Sequence, residues 1–401
     1  MDPGLAPELD PGLGPELGRY DAVIIGGGVA GLWTRALLEQ QGRSVALIEH
    51  RALGAGQTVA SQGILHAGVK YALGGEATEA ARAVAEVQQV WRDCFEGTLQ
   101  PDLRSVNVVA HQMHMWTAGT ASKLAAWGAS KAMRSGVRKL DDRPEAFAGA
   151  PNGVAVYEID ESLIDPSSLV AALARAGAGP LIRAGAGAIT TEGDAAVVET
   201  DAGRLGASRV ILCAGAGNES LLTLAGIEPG PLTQRRPLHM VLVRGAPFEL
   251  NGHCLQMSDV PRLTITSSRD SSEIIWYVGG GIAEEGVELS DEAQIEAAKE
   301  ELRTCLPWAD LSEATWATLR VDRAEGKTPG GKRPDSVVVR ELGEHLIAVW
   351  PTKLVLAPVA ARQVAEIVRD DPKRGSDSPR ADAPQAPVAV APWESEGFQW
   401  S

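Results

Sequence analysis

Short apolar runs alternate with amphipathic stretches from residue 21 onward. Residues 21–25 (DAVII) form an apolar run typical of a buried parallel strand. A glycine-rich turn follows, and a helix-like stretch over 30–41 ends at Gly42, which suits a C-cap. Residues 44–49 (SVALIE) form a second apolar strand. This order predicts a parallel strand–helix–strand unit near the start of the chain.

The later pattern changes from helical to strand-rich and back again. The stretch 238–277 is rich in strands and stands between segments where strands and helices alternate. Such an insertion predicts two lobes, each built from discontinuous segments. Helices are predicted over 75–99, 168–177, 291–305 and 356–369, and strands over 187–190, 195–200, 209–213, 336–340 and 345–349.

Both ends of the chain read as non-globular. Residues 2–9 (DPGLAPEL) recur almost unchanged at 10–17, and the sequence beyond Asp370 is rich in Pro, Asp and Ser. We therefore predict a disordered leader over 1–18 and a disordered tail over 370–401. The tail ends in Trp393, Phe398 and Trp400, so docking onto the protein or a partner stays an alternative to a mobile terminus.

Composition narrows the class of protein. The chain has 401 residues, of which 44% are hydrophobic and 22% charged, which is typical of globular domains. A formal net charge of −15 argues against a nucleic-acid partner. The four cysteines form no C-x-x-C pair, so neither a zinc site nor a redox dithiol is predicted and a cytoplasmic location is favoured. No apolar run reaches the roughly 18 residues of a membrane span, and no metal site is predicted.

The glycine turn has the spacing of a dinucleotide site. Gly26, Gly28 and Gly31 follow a strand and open a helix, as G-x-G-x-x-G. The first glycine makes the tight turn, the second admits a pyrophosphate, and the third lets helix and strand pack closely. The helix N-terminus offers N–H groups to the phosphates. Glu49 ends the second strand, where an acid accepts hydrogen bonds from an adenosine ribose.

Several further segments carry a family resemblance. The sequence from Gly54 to Tyr71 contains a small-residue loop followed by Ile64-Leu65-His66-Ala67-Gly68, and 164–166 (IDP), 209–218 (RVILCAGAGN), 316–320 (WATLR) and 353–358 (KLVLAP) follow in order. Together they resemble the D-amino-acid-oxidase-like flavoproteins, nearest to the L-2-hydroxyglutarate and glycerol-3-phosphate dehydrogenases and to sarcosine-oxidase-like members. The resemblance covers about residues 20–369. Thr318, Val321 and the segment 350–352 (WPT) depart from the family's pattern.

The resemblance implies a fold, a cofactor and a division of the chain. It implies a Rossmann-type α/β FAD-binding domain (19–80, 166–230 and 319–369) interleaved with an α+β substrate domain on a mostly antiparallel sheet (231–318), with 81–165 mainly a substrate or cap region. The implied cofactor is FAD. The residues expected to bind it are Gly26, Gly28, Val29, Ala30, Gly31, Glu49, His50, Arg51, Thr58, Ser61, Gln62, Gly63, Ala214, Gly215, Lys353 and Leu354.

The chemistry implied is hydride transfer to the flavin from a carbon that bears an amine or a hydroxyl group. Arg320 is the candidate for pairing with an anionic substrate, with Arg323 as its competitor and a structural ion pair as the alternative. Lys353 is the candidate charge near flavin N1, and His66 is the candidate base. His239 and Tyr277 are further candidate pocket residues, for which sheet packing is the alternative.

These observations predict an FAD-dependent dehydrogenase or oxidase acting on a small anionic amino acid, 2-hydroxy acid or glycerol-phosphate-like substrate. The acceptor, whether oxygen, quinone or protein, stays open. One alternative is an NAD(P)H-dependent flavin monooxygenase; another is a non-catalytic flavoprotein subunit of a complex. A separate NAD(P)H domain is not predicted, because no second strand is followed by G-x-G-x-x-G: the glycines 279–281 follow a strand, but Glu284 stands where the third glycine is needed.

Overall fold

A computed structural model places the elements of the chain on two large sheets and one small one. It describes residues 15–66, 79–118, 137–256, 260–270, 272–332, 334, 336–373 and 384–401. The strands are β1 Glu16–Ile25, β2 Val45–Glu49, β3 Ile64–Leu65, β4 Val108–Ala110, β5 Met113–Thr117, β6 Arg138–Lys139, β7 Val156–Ile159, β8 Ser162–Ile164, β9 Leu181–Arg183, β10 Ala186–Glu192, β11 Ala195–Thr200, β12 Gly203–Leu212, β13 Thr233–Arg244, β14 Gly252–Leu255, β15 Leu263–Asp270, β16 Glu273–Gly279, β17 Thr315–Gly326, β18 Val338–Glu341 and β19 Leu346–Trp350. The helices are α1 Val29–Gln40, α2 Glu79–Glu96, α3 Pro166–Arg175, α4 Asn218–Leu224, α5 Gly281–Glu285, α6 Asp291–Cys305 and α7 Ala357–Ile367.

The first sheet is the nucleotide sheet. Its parallel core runs in the order β9, β2, β1, β12 and β19, while the β10–β11 hairpin and β18 add antiparallel strands. Helices α1, α3 and α7 cover one face, and the apolar run at 21–25 is buried in it. The carboxyl ends of the parallel strands meet at one edge, which is where open α/β sheets bind ligands. This confirms the predicted Rossmann-type domain.

The second sheet is the substrate sheet, in the order β17, β13, β16, β15, β14, β5, β7 and β6. Neighbouring strands are antiparallel except for β14 and β5. Successive side chains alternate between two faces. One face, with Val241 and Trp276, packs on α6. The other face, with Met240 and Tyr277, lies towards the nucleotide lobe, which is the part of the chain built on the nucleotide sheet. The predicted mostly antiparallel sheet is confirmed.

Three predicted boundaries differ from the structure. β1 begins at Glu16, inside the predicted leader, because Gly18 to Tyr20 pair with β12. β17 continues in the substrate sheet to Gly326, so the predicted boundary between 318 and 319 is wrong. α2 packs on the nucleotide lobe, where Trp91 Nε1 donates to the Val355 carbonyl at 2.9 Å, rather than on the substrate lobe.

The prediction of a disordered tail is wrong for residues 384–401. Leu53 forms a parallel bridge with Val388, and the Trp393 ring packs against Tyr277. The Ser401 amide donates to the Trp316 carbonyl at 2.8 Å. Apolar side chains that are widely spaced in a polar sequence give no periodic signal, yet Trp393, Phe398 and Trp400 pack against apolar residues of the substrate sheet.

The helices of the described ranges are polar or short. α2 is the longest, with 18 residues, and it carries Arg92, Asp93 and Glu96 in its last turns. Within those ranges no helix combines the length and the apolar character needed to cross a membrane.

Candidate active site

The glycine turn after β1 has three distinct environments. A Cβ on Gly26 would lie 2.5 Å from the Cys213 carbonyl carbon, and Gly26 has φ of +113°. A Cβ on Gly31 would lie 2.0 Å from the Gly26 oxygen. At Gly28 the nearest atom to a Cβ is Thr58 Oγ1, at 3.2 Å. Gly26 and Gly31 therefore allow the turn itself, whereas Gly28 leaves a bare backbone surface at the start of α1 that fits a pyrophosphate.

The small-residue loop over 53–61 supports the start of α1. Thr58 Oγ1 accepts a hydrogen bond from the Val29 amide at 3.1 Å, and the Gly54 amide donates to the Gly27 carbonyl at 2.9 Å. Ser61 Oγ donates to the Thr58 carbonyl at 2.7 Å. These bonds hold Val29 and its neighbour Ala30 at the helix N-terminus, whose dipole favours an anion.

Glu49 lies beside the glycine turn at the end of β2. Its carboxylate accepts hydrogen bonds from the Gly27 amide at 2.9 Å and the Arg51 amide at 3.0 Å, and it lies 3.2 Å from His50 Nδ1. Burial raises the pKa of Glu49, but these three contacts outweigh it, so the pKa is lower than usual. An ionised carboxylate at this position fits an adenosine ribose.

A second turn enters the same edge after β12. The Ala214 amide donates to Asn218 Oδ1 at 2.8 Å, and Asn218 Nδ2 donates to the Val349 carbonyl at 3.2 Å. Gly215 has φ of +58°, a conformation that glycine adopts at no steric cost. Asn218 belongs to the motif at 209–218 without a predicted role, and its side chain, which is completely buried, fixes this turn.

The end of the loop over 53–61 and the residues directly after it contact the face of the substrate sheet that carries Met240 and Tyr277. Tyr277 Oη donates to the Ala60 carbonyl at 2.9 Å, and burial raises the Tyr277 pKa, which keeps the hydroxyl protonated as a donor. Gln62 Nε2 donates to the carbonyls of Thr264 at 3.0 Å and Tyr277 at 2.8 Å. Gly63 has φ of +72° and sits where a Cβ would lie 2.1 Å from the Ile164 oxygen. Gln62, expected to bind the cofactor, thus joins the two lobes through its side chain.

His66 belongs to a hydrogen-bonded cluster with two residues that the sequence reasoning missed. Its Nδ1 lies 3.2 Å from Glu161 Oε2, and His253 Nε2 lies 3.3 Å from the same oxygen. His253 Nδ1 lies 2.9 Å from Thr264 Oγ1. Burial raises the pKa of Glu161, but both imidazoles oppose this, and its pKa is well below the usual range. Glu161 stands beside Asp160 and close to Glu158 in 156–162 (VYEIDES), so nothing in the sequence distinguished it as a member of this cluster.

The same three side chains could also hold a metal ion. Their candidate ligand atoms all lie within 4.8 Å of one another, although no metal site was predicted. Zinc needs each ligand atom at about 2.0–2.2 Å from a common centre. Two imidazole nitrogens that instead share one carboxylate oxygen at 3.2 and 3.3 Å have the spacing of hydrogen bonds.

Lys353 and Leu354 lie at the same edge of the nucleotide sheet as the glycine turn. They follow β19 after a sharp bend in which Thr352 has φ of +66° and the Lys353 amide donates to the Pro351 carbonyl at 2.7 Å. The turn Leu354–Leu356 contacts β3, which directly precedes His66. The structure therefore brings His66, Lys353 and the loop over 58–63 into one region.

His239 and Arg320 do not join that region, which corrects their assignment as pocket residues. They pair with each other across β13 and β17 on the face that packs on α6. His239 is fully buried, with Nδ1 at 3.0 Å from the Gly286 carbonyl. Arg320 donates to the carbonyls of Val287 at 2.8 Å and Leu289 at 2.6 Å. Both residues hold the connection between α5 and α6.

Arg323 occupies the opposite face of β17, the one that carries Met240 and Tyr277. It pairs with Arg236 in the strand register, and its Nε donates to the Arg236 carbonyl at 3.1 Å. Its guanidinium also lies 3.2 Å from Glu284. Arg320 and Arg323 are three positions apart along β17, and an odd offset places their side chains on different faces of the pleated strand.

The buried carboxylate of Glu161 predicts an acid-sensitive stability. A group whose pKa is lowered by folding stabilises the protein above its unfolded pKa, and this contribution is lost as the pH falls. We expect the unfolding free energy of the wild type to exceed that of Glu161→Gln at neutral pH. The difference should shrink below the ordinary pKa of 4.5. Urea unfolding of both proteins at several pH values measures it, and a difference independent of pH would contradict the prediction.

Comparisons with known proteins show the family of the chain. The family model described as FAD dependent oxidoreductase matches residues 21–367. The chain is 41% identical over 383 residues to the probable FAD-dependent oxidoreductase PA4991 of Pseudomonas aeruginosa, covering 93% of this chain and 97% of that protein. The crystal structure of PA4991 superposes with a TM-score of 0.80 at 36% identity, covering 95% of this chain and 99% of that one.

More distant structures share the fold. Glycine oxidase from Geobacillus kaustophilus has a TM-score of 0.63 at 18% identity, covering 89% of this chain and 96% of its own. L-α-glycerophosphate oxidase from Mycoplasma pneumoniae, solved with FAD bound, has a TM-score of 0.64 at 16% identity, covering 88% and 95%. With the glycine turn, Glu49 and the loop over 53–61 fitting a dinucleotide, the chain belongs to the FAD-dependent oxidoreductase family and is an FAD-dependent enzyme.

Proposed function

We propose that this enzyme removes a hydride from a carbon that bears a hydroxyl group on a small anion of the 2-hydroxy-acid or glycerol-phosphate kind. The observation that carries the proposal is the His66–Glu161 pair, with Nδ1 and Oε2 3.2 Å apart. Loss of hydride from an alcohol requires a base for the hydroxyl proton, whereas a neutral amine can lose hydride without one. An imidazole oriented by a buried carboxylate is suited to that task.

The proposed roles follow from position. The glycine turn, Glu49, Thr58 and the turn at Ala214 and Gly215 hold FAD, which supplies the hydride acceptor when bound. Lys353 would place a positive charge near the pyrimidine ring of a bound flavin. Because His66 Nδ1 faces Glu161, Nε2 is the nitrogen that accepts the substrate proton. The substrate O–H would give its proton to His66, bound FAD would supply the acceptor for the hydride lost from the same carbon, and a carbonyl product would remain.

We assign the substrate's anionic group to Arg323 instead of Arg320. Arg323 shares a face of the substrate sheet with Met240 and Tyr277 and is about one-fifth exposed at its side chain. A guanidinium in this position can hold a carboxylate or phosphate oxygen pair. Glu284, 3.2 Å away, keeps the guanidinium oriented before the substrate arrives.

We expect Arg323→Ala to raise KM at least about tenfold with a smaller effect on kcat, since one charge-assisted contact of about 1.5–3 kcal/mol is removed. Arg320→Ala is the matched control, because its contacts are to the carbonyls of Val287 and Leu289. KM should stay within about twofold of wild type in that variant, as expected of contacts remote from the substrate. The assignment fails if Arg320→Ala raises KM and Arg323→Ala does not.

An amine substrate is the second candidate. Glycine oxidase is named for an amine substrate and L-α-glycerophosphate oxidase for a hydroxyl-bearing one, so the shared fold serves both kinds of oxidation. The two can be separated by measuring kcat/KM with an artificial electron acceptor for 2-hydroxy acids, the 2-amino acids of the same carbon skeletons, and glycerol 3-phosphate. We expect the hydroxyl compounds to be preferred by about a hundredfold, which is about 2.7 kcal/mol. Faster turnover of the matched amino acids would overturn the hydroxyl proposal.

A further inference from the structure

We propose that the segment 384–401, here called the aromatic arm, supports the loop over 53–61, and that Trp393 is a positioning residue for FAD. This inference depends on FAD binding and not on the substrate proposed above. The arm is distant in the sequence from the glycine turn and from the cluster of His66, Glu161 and His253, so its role is visible only in its contacts.

The first part of the arm pairs with the nucleotide lobe by backbone hydrogen bonds. The Ala386 amide donates to the Leu181 carbonyl of β9 at 2.9 Å. The Leu53 amide then donates to the Pro387 carbonyl at 2.7 Å, and the Ala389 amide donates back to the Leu53 carbonyl at 3.0 Å. Both backbone groups of Leu53 are therefore fixed by the arm.

Leu53 is itself in contact with the glycine turn. A Cβ on Gly27 would lie 2.5 Å from Leu53 Cδ2, and the next residue, Gly54, donates its amide to the Gly27 carbonyl at 2.9 Å. Leu53 is buried, so its side chain is fixed in that position. The arm thus holds the start of the loop that packs on the turn.

The second contact of the arm is with Tyr277, which bonds to the other end of the same loop. The Trp393 ring lies 5.2 Å from the Tyr277 ring at an interplanar angle of 56°. Tyr277 Oη donates to the Ala60 carbonyl at 2.9 Å. Between Leu53 and Ala60 lies Thr58, whose Oγ1 accepts from the Val29 amide. The arm therefore contacts the start of this loop directly, at Leu53, and reaches its end at Ala60 through Tyr277, while the middle of the loop shapes the pyrophosphate site.

The end of the arm is anchored separately on the substrate lobe. The Arg244 guanidinium lies 4.2 Å from the centre of the Trp400 ring, a cation–π distance. Ser401 and Trp316 exchange two backbone hydrogen bonds of 2.8 and 3.0 Å. These contacts keep the arm in place when one inner contact is removed, so point variants can test its role while the fold persists.

The test measures FAD affinity and the flavin environment with no substrate present. Apoprotein is titrated with FAD for wild type, Trp393→Ala, Trp393→Phe and Ala389→Pro, which removes the donor to the Leu53 carbonyl. We expect Trp393→Ala and Ala389→Pro each to raise the FAD dissociation constant about tenfold, or 1.4 kcal/mol, and to change the visible circular dichroism of bound flavin. Trp393→Phe should retain the FAD affinity and the flavin dichroism of the wild type, because it keeps an aromatic contact with Tyr277.

Val390→Ala is the control within the arm, since Val390 is 50% exposed. It should bind FAD as the wild type does. Thermal unfolding of each apoprotein separates loss of fold from loss of FAD binding. Unchanged FAD affinity and an unchanged flavin dichroism in both Trp393→Ala and Ala389→Pro would overturn the proposal. Failure of the hydroxyl-substrate proposal would leave these measurements unaffected.

Discussion

Gly28→Ala is expected to yield a folded apoprotein that no longer retains FAD. Gly28 has φ of −74° and ψ of 178°, which alanine adopts without strain, and the added Cβ meets only Thr58 Oγ1, at 3.2 Å. The methyl group would instead cover the backbone surface that must touch the pyrophosphate. We expect the FAD dissociation constant to rise by at least about a hundredfold, or 2.7 kcal/mol, in a fluorescence titration.

Two other glycines give matched comparisons. A Cβ on Gly56 has no atom within 4 Å, so Gly56→Ala should bind FAD normally. A Cβ on Gly31 would lie 2.0 Å from the Gly26 oxygen, so Gly31→Ala should weaken the turn and lower apoprotein stability as well. If Gly28→Ala binds FAD like the wild type, the pyrophosphate does not lie over this residue.

His66→Asn is expected to slow flavin reduction by the substrate about 10²–10⁴-fold, the usual effect of losing a positioned general base. FAD binding should persist, because the glycine turn and the loop over 53–61 are unchanged. Glu161→Gln should slow the same step less, since an imidazole remains but the cation formed on it loses its carboxylate at 3.2 Å. Stopped-flow absorbance of the flavin without oxygen measures this step directly.

The control for this prediction is His111→Asn, because the His111 side chain is exposed and lies outside the cluster of His66, Glu161 and His253. In this variant the substrate should reduce the flavin at the wild-type rate. Equal rates for wild type and His66→Asn would remove His66 from the chemistry and would favour an amine substrate that needs no base.

The nucleotide unit could be predicted from the sequence because its determinants are local. The glycine spacing, the apolar strand at 21–25 and the acid at Glu49 all fall within about thirty residues, and each has one steric or electrostatic purpose. The structure places the helix at Val29–Gln40, one residue from the predicted 30–41. The glycine motif and the strand and helix beside it indicated the same unit, so this prediction depended little on contacts between residues distant in the chain.

The substrate side could not be predicted in the same way, because a strand's register decides which face a side chain takes. A shift by one residue changes the face, and the resemblance at 316–320 fixed the position of Arg320 without fixing its direction. The pairing of His239 with Arg320 settles that direction. Glu161 and His253 are 92 residues apart, so only the folded chain brings them to His66.

The central claim is that electrons enter the flavin from the substrate itself. The most direct measurement is a titration of the FAD-bound protein without oxygen, in which flavin absorbance is followed. One titration uses a 2-hydroxy acid that the enzyme oxidises, or glycerol 3-phosphate, and separate titrations use NADPH and NADH. We expect complete bleaching of the flavin by the organic substrate alone and none by the nicotinamides. Bleaching by NADPH or NADH alone would contradict it and would favour a monooxygenase.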